Sequence, residues 1–142
     1  IPDAILNKPG KLTPEEYEIM KTHAQKGAEL LAQIPQMRSH AAFRYAYDIA
    51  LHHHERWDGR GYPDGLVGEE TPVWTQIVAL ADVYDALVSK RCYKEAYSFD
   101  TAVHMIVEGQ CGIFGPRILE HFQAAEPALR KMYLRGMEGK GI

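Results

Sequence analysis

One segment of the sequence, residues 72–90, constrains the fold more than any other because it is apolar almost all the way round a helix. Thr71-Pro72 gives it a helix start signal, with proline at the first helical position. A helix that is apolar on every side must be covered by other elements, so we expect this one in the middle of the fold. Asp82 lies within it, and burying an ionised carboxylate there is costly unless a cation or strong hydrogen bonds compensate.

Start and stop signals divide the remaining sequence into further helices. Residues 13–16 form a capping box with Pro14 at the first helical position, and they predict a helix to about Ala32 with Tyr17 on its inner face. No segment alternates with the period of two that strands show, so the predicted class is all-α. Other helices are predicted from Ser39 to about His54, from Ser98 to Gly109, from Pro116, and from Pro127 to Arg135.

Length and charge limit the kinds of partner. The chain has 142 residues and a net charge of −3, which fits one domain and argues against broad binding of DNA or RNA, because these need a basic surface. No stretch reaches the roughly 18 consecutive apolar residues of a membrane span. Cys92 and Cys111 are too far apart for a redox or zinc motif and are predicted to be free thiols. We expect a domain over residues 1–135 and a flexible tail over 136–142.

Paired histidines lead directly into a glycine-rich loop. His53 and His54 end the predicted second helix with Glu55 beside them, and residues 55–71 form the loop. Neighbouring helical positions point about 100° apart, so three consecutive histidines cannot face one metal, and we interpret His52 as the spare one. The pair predicts a divalent metal with a loop that shapes a pocket over it. A turn-rich connection fixed by its glycines is the simpler alternative, although long ordered loops are usually functional.

Three acidic residues and one more histidine could complete this site. His23 lies on the inner side of the first predicted helix, where a lone histidine is more often a core residue than a ligand. Asp82 is the stronger candidate ligand, although it could instead accept hydrogen bonds from a helix end or pair with an arginine. Asp85, three positions later on the same helix face, and Glu55 are expected to orient a ligand histidine.

Five separated motifs follow one another along the chain. The run from His53 to Leu66 reads HHERWDGRGYPDGL, and it is flanked by IPDAILNKPG at 1–10, MKTH at 20–23, ALADVYDAL at 79–87 and RCYK at 91–94. In this order they resemble HD-GYP domains, a branch of the HD metal-dependent phosphohydrolases. The resemblance covers residues 1 to about 125.

The resemblance implies an all-α, HD-domain-like helical bundle with a long ordered Gly-Tyr-Pro loop. It also implies a cytoplasmic bacterial signalling protein that hydrolyses cyclic di-GMP, of a kind that often follows receiver or sensor domains. Such domains hold two or three divalent metals, usually iron or manganese, which activate the attacking water with no further catalytic side chain. Mixed imidazole and carboxylate ligands suit these metals. The ligands carried over to this sequence would be His23, His53, His54 and Asp82.

Other matching positions would serve the substrate or a partner. Arg91 and Lys94 would neutralise a substrate phosphate, although a solvated helix end is the alternative interpretation of both. Tyr62 would contact the substrate. The rest of the loop would line the pocket or dock a protein partner, such as a diguanylate cyclase domain, through Asp58, Gly59, Gly61 and Pro63.

The chain contains no His-Asp doublet, which the family carries just before the segment that matches residues 1–10. We therefore expect a fragment truncated before that doublet and its helices, with an incomplete metal cluster. Three functions stay open: a cyclic di-GMP phosphodiesterase, a degenerate module that binds the dinucleotide or a partner without hydrolysis, and a hydrolase of another nucleotide. Loss of upstream helices also predicts an apolar groove beside the central helix, either exposed or buried in a homodimer.

Overall fold

The computed structural model describes residues 1–90 and 95–138. Within these residues β-pairing is limited to isolated bridges, and a short 3-10 turn lies at Gly68–Glu70. The predicted all-α class is therefore confirmed. The helices are α1 (Asp3–Leu6), α2 (Pro14–Gln33), α3 (Pro35–Arg38), α4 (Phe43–His52), α5 (Val73–Val88), α6 (Phe99–Val107) and α7 (Pro116–Glu138).

Helix α2 begins at the predicted capping box. The Glu16 amide donates to Thr13 Oγ1 at 3.2 Å, and the Thr13 amide donates to Glu16 Oε2 at 2.7 Å. Each bond satisfies an amide that the first helical turn leaves without a partner. Tyr17, predicted to face inward, is instead 48% exposed.

Small residues let α2 pack closely on α4. Ala28 of α2 is buried, and a Cβ added at Gly27 would lie 3.9 Å from the Cβ of Ala50 in α4. A side chain larger than that of alanine at Gly27 or at Ala28 would push the two helices apart. Their close approach carries His23 of α2 to the carboxyl end of α4, where the paired histidines follow.

Helix α5 lies in the core, as predicted. One side of it is uncovered within the described residues, because Val73 is 55% and Ile77 54% exposed. That side borders an apolar groove of about 860 Å³ between α5 and α7, so the predicted groove is present. Its burial in a homodimer stays a prediction. The buried cluster that α5 forms with α6, α7 and the segment between them comprises Ala79, Leu80, Val83, Leu87, Ala102, Ile106, Phe114 and Phe122.

The predicted helix from Ser39 to His54 is wrong in its first part. Ser39 instead follows the last residue of α3, where its hydroxyl donates to the Gln36 carbonyl at 3.2 Å. A turn follows before α4 begins at Phe43. Serine caps a helix start when its oxygen accepts a following amide, but here the hydroxyl serves the preceding turn.

The prediction of a separate helix from Pro127 is also wrong, since α7 runs through it. Proline removes one helix donor, so the Gln123 carbonyl loses its helical partner; both residues are exposed, and water can take that bond. The helix overlaps the start of the predicted flexible tail, and residues 139–142 lie outside the described part of the chain. Of the described helices, none has the length and apolar character needed to cross a membrane.

Candidate metal centre

Three imidazoles from two helices converge on one point. His23 lies on α2, while His53 and His54 directly follow α4. The Nε2 atom of His23 lies 3.3 Å from Nε2 of His53 and 3.0 Å from Nε2 of His54. All three side chains offer ligand atoms within 4.8 Å of one another.

Backbone carbonyls fix the orientation of two of these rings. His23 Nδ1 lies 2.7 Å from the Met20 carbonyl, and His53 Nδ1 lies 2.9 Å from the Ile49 carbonyl. A carbonyl can only accept, so in the neutral form of each ring Nδ1 carries the proton and Nε2 has the lone pair. Lone pairs this close repel one another unless a cation lies among them. The donor set therefore fits a divalent metal of the first transition row, which neutral imidazole suits.

The electrostatics keep His54 in the form that binds metal. Burial, together with the smaller effects of the neighbouring His53, His23 and Arg56, lowers the pKa of His54 to about 3. A neutral imidazole is thus present throughout the physiological pH range. Protons do not compete for its lone pair there.

Asp82 faces the same cavity from α5. The cavity measures about 1230 Å³ and is walled by the N-terminal segment, α2, the paired histidines and one side of α5. Within the described residues, Asp82 is not part of the group whose ligand atoms all lie within 4.8 Å of one another. The predicted ligands therefore share one cavity, with three of them forming its tight cluster and Asp82 lying on its wall.

Glu55 anchors the loop, which corrects the expectation that it orients a histidine. It is only 3% exposed, and its carboxylate accepts the amides of Asp64 at 2.7 Å, Gly65 at 3.2 Å and Leu66 at 3.0 Å. These bonds tie the far side of the loop to the residue that follows the histidine pair. A carboxylate with three amide donors is well compensated for its burial.

Gly61 and Tyr62 bring the tip of the loop onto the metal centre. The Tyr62 amide donates to the His54 carbonyl at 3.3 Å, and its ring stacks on the His54 ring with centroids 4.8 Å apart. Gly61 is needed for this approach, because a Cβ there would lie 2.5 Å from the His54 carbonyl oxygen. Burial raises the pKa of Tyr62 well above its usual range, so the phenol keeps its proton.

Four of the predicted loop residues do not line the cavity, which corrects the pocket-lining alternative for them. Of the predicted loop residues, Tyr62 lines the cavity wall, whereas Asp58, Gly59, Gly61 and Pro63 do not. Asp58 accepts the Arg60 amide at 3.2 Å, and Gly59 turns the chain with a φ of 76° that favours glycine. Pro63 is exposed. These residues shape the loop rather than the pocket.

Sequence reasoning missed Arg56. Its guanidinium donates to the Glu55 carbonyl at 2.8 Å and to the His53 carbonyl at 3.3 Å, and it lies 5.3 Å from the centroid of the Phe114 ring. Arg56 also lines the cavity. It thus links the histidine turn to the segment before α7. The one sequence signal was a basic residue two positions after the ligand pair.

Asp85 is not part of the histidine cluster. Asp85 is exposed and accepts a hydrogen bond from Ser89 Oγ at 3.2 Å, so the expectation that it orients a histidine is wrong. Arg91 and Lys94 lie outside the described residues. His52 lies outside the group of three histidines, and its Nε2 lies 2.9 Å from Asp64 Oδ2.

Comparison with known proteins places this chain in a family. The family model described as "HD domain" matches residues 1–118. The chain is 50% identical over 127 residues to a cyclic di-GMP phosphodiesterase of Vibrio cholerae, which covers 89% of this chain and 26% of that protein. It is 48% identical over 120 residues to the cyclic di-GMP phosphodiesterase response regulator RpfG of Xanthomonas campestris, covering 84% and 31%.

A third relative carries a different substrate in its name. The chain is 39% identical over 120 residues to 3'3'-cGAMP-specific phosphodiesterase 2 of Vibrio cholerae, covering 84% of this chain and 22% of that protein. The chain thus spans between 22% and 31% of the length of these relatives. With the family model matched over most of the sequence, the chain belongs to the HD-domain family, in its HD-GYP branch.

Proposed function

We propose that this chain is the part of a metal-dependent cyclic di-GMP phosphodiesterase that carries the histidine cluster and the Gly-Tyr-Pro loop, within residues 1–135. The observation that carries the proposal is the convergence of the Nε2 atoms of His23, His53 and His54 at a cavity of about 1230 Å³. Such a volume exceeds that of most small-molecule sites. The names of two relatives support cyclic di-GMP as the substrate.

The cluster is proposed to hold iron or manganese, with Asp82 as a further ligand. When bound, such metals activate water as the nucleophile and stabilise charge on the phosphoryl oxygens. Residues of this chain orient the imidazoles and cover part of the site. The carbonyls of Met20 and Ile49 fix the two Nδ1 protons, and the stacked Tyr62 ring covers part of His54.

The charge of the cavity wall supports an anionic substrate. Lys11 and Arg56 line it together with the single described acid Asp82, and Lys8 also lines it while paired with Glu16. A concave surface with an excess of cations raises the local concentration of phosphodiesters. Arg91 and Lys94 are proposed to add to this field through direct phosphate contact.

Two outer surfaces are proposed to serve other proteins. The exposed part of the loop, which includes Pro63, is proposed to dock a partner such as a diguanylate cyclase domain. The groove between α5 and α7 is proposed to meet a second copy of the chain. We propose that the protein works in the cytoplasm, where cyclic dinucleotide signals are made and degraded.

The test uses the longer protein to which this chain corresponds in its relatives. Metal content and hydrolysis of cyclic di-GMP are measured for the wild type, for His23→Ala and for His40→Ala. His40 is the matched control because it is exposed in the turn before α4 and accepts the Ala42 amide. We expect His23→Ala to lower turnover by on the order of 100-fold or more and to lose metal, because a ligand is removed outright.

His40→Ala should keep both properties. A wild-type protein that holds metal and binds cyclic di-GMP without hydrolysing it would support the non-catalytic binding module instead. Equal loss in both variants would contradict the metal assignment, because it would reflect general instability.

A further inference from the structure

An aromatic path leads from the histidine cluster to the cavity mouth. Tyr62 stacks on His54, and the Tyr17 ring meets Tyr62 edge to face, with centroids 6.4 Å apart and planes at 84°. Tyr17 lines the cavity but remains 48% exposed. A large aromatic ring that is half open at the mouth of a cavity offers a flat surface to a ligand.

A lysine lies over the same two rings. Lys21 Nζ is 5.6 Å from the Tyr17 centroid and 5.8 Å from the Tyr62 centroid. It also pairs with Glu18 at 2.8 Å, but the Glu18 side chain is 68% exposed, so this pair is well solvated and weak. The ammonium group is therefore held at the aromatic corner and keeps donors for a further acceptor.

The chemistry of this corner matches a nucleobase. Bases stack on tyrosine rings whatever their identity, because every base has a flat π-face. A lysine adds selection between bases, because it can donate but not accept. Guanine presents two adjacent acceptors, O6 and N7, whereas adenine presents an amino donor beside N7.

We propose that Tyr17, Tyr62 and Lys21 form a subsite for one guanine base of the substrate, with Tyr17 as the stacking surface and Lys21 as the donor to O6 and N7. This subsite rests on the proposed hydrolysis of cyclic di-GMP for its substrate, although its binding can be measured separately. It accounts for an exposed aromatic ring on the cavity wall and for a cation over that ring, neither of which the metal centre uses.

The test compares Tyr17→Ala, Tyr17→Phe and Lys21→Met with a matched control in the longer protein. The control is Tyr45→Ala, because Tyr45 is 49% exposed and contacts the Trp74 ring on α5 without lining the cavity. KM and kcat for cyclic di-GMP, metal content, and the dissociation constants of GMP and AMP are measured. The mononucleotides report base binding even where no phosphodiester is hydrolysed.

We expect Tyr17→Ala to weaken GMP binding and raise KM about tenfold, with kcat and metal content within about twofold of the wild type. Tyr17→Phe keeps the flat ring and should bind GMP normally. Lys21→Met should weaken GMP binding but not AMP binding, so the preference for guanine disappears. Tyr45→Ala should change none of these values.

Each other outcome has a separate meaning. Unchanged GMP binding in Tyr17→Ala overturns the subsite, and so does a joint loss of metal and kcat, because Tyr17 would then only support Tyr62. A wild type that binds GMP and AMP equally overturns the role of Lys21. A wild type that does not hydrolyse cyclic di-GMP but binds GMP through Tyr17 contradicts the proposed function and leaves the subsite standing.

Discussion

Replacing Gly61 by alanine should break the turn that carries the paired histidines. A Cβ at this position would lie 2.4 Å from Glu55 Cα, 2.5 Å from the Arg56 nitrogen and 2.5 Å from the His54 carbonyl oxygen. All three atoms belong to the backbone, so no side-chain rotation can relieve the contact. Ordinary contact begins near 3.4 Å, so the loop and the histidine turn must separate by about 1 Å.

The cost follows from this displacement. Overpacking costs typically 1–3 kcal/mol, and backbone atoms on every side put this case at about 3 kcal/mol or more of unfolding free energy. For a chain of this length that corresponds to a fall in melting temperature of roughly 10 °C. The stacking of Tyr62 on His54 is lost at the same time, so metal retention should fall as well.

Thermal unfolding followed by circular dichroism, together with metal analysis, measures both effects. Gly10→Ala is the matched control, because nothing lies within 4 Å of a Cβ at Gly10, and its free energy of unfolding should change by no more than about 0.5 kcal/mol. A Gly61→Ala protein that melts with the control and keeps its metal would refute the close approach of loop and histidine turn.

Two further predictions concern the same turn. Glu55→Gln leaves one acceptor oxygen and adds an amide donor beside three backbone amides. We therefore expect it to lower the unfolding free energy by roughly 2 kcal/mol and to speed proteolysis within residues 58–66. Protease sensitivity equal to that of the wild type would contradict this. In the metal-free chain, the pKa of His54 is about 3 when folded, below its unfolded value near 6.5, so the folded state binds fewer protons. The stability of the metal-free chain should therefore be full above pH 6.5 and fall as the pH drops towards 3, and urea titrations should find a weaker fall in His54→Asn.

Local chemistry was predictable from the sequence. Thr13 and Glu16 cap α2, and Ser98 caps α6 by accepting the Thr101 amide at 3.2 Å, because both partners lie within three residues. The central place of α5 was also predictable, since its apolar surface has to be covered. The resemblance to the family named the three histidines that converge.

Choices between competing local signals were not predictable. Ser39 can serve the turn before it or the turn after it, and the sequence does not say which. Pro127 reads as a helix start, but an exposed position lets α7 tolerate the lost bond. Asp85 shares a face with Asp82 only approximately, because three positions on a helix leave about 60° between them. That angle is enough to turn its carboxylate to solvent.

Contacts across the loop were beyond sequence reasoning. Glu55 bonds amides nine to eleven positions away, and Arg56 reaches Phe114. Both pairings depend on the path of the chain between the partners. In the sequence, a carboxylate beside the histidine pair looks like a partner of a metal ligand. The role of Glu55 as the acceptor of three loop amides appears only in the folded loop.

X-ray absorption at the metal edge tests the central claim most directly, because it reports the atoms that surround a bound metal. In the wild-type protein loaded with iron or manganese, the account predicts imidazole nitrogens among the nearest neighbours of the metal. The scattering from the outer atoms of the imidazole rings should weaken in His23→Ala and not in His40→Ala. A spectrum with oxygen neighbours alone, or one that His23→Ala leaves unchanged, would contradict it.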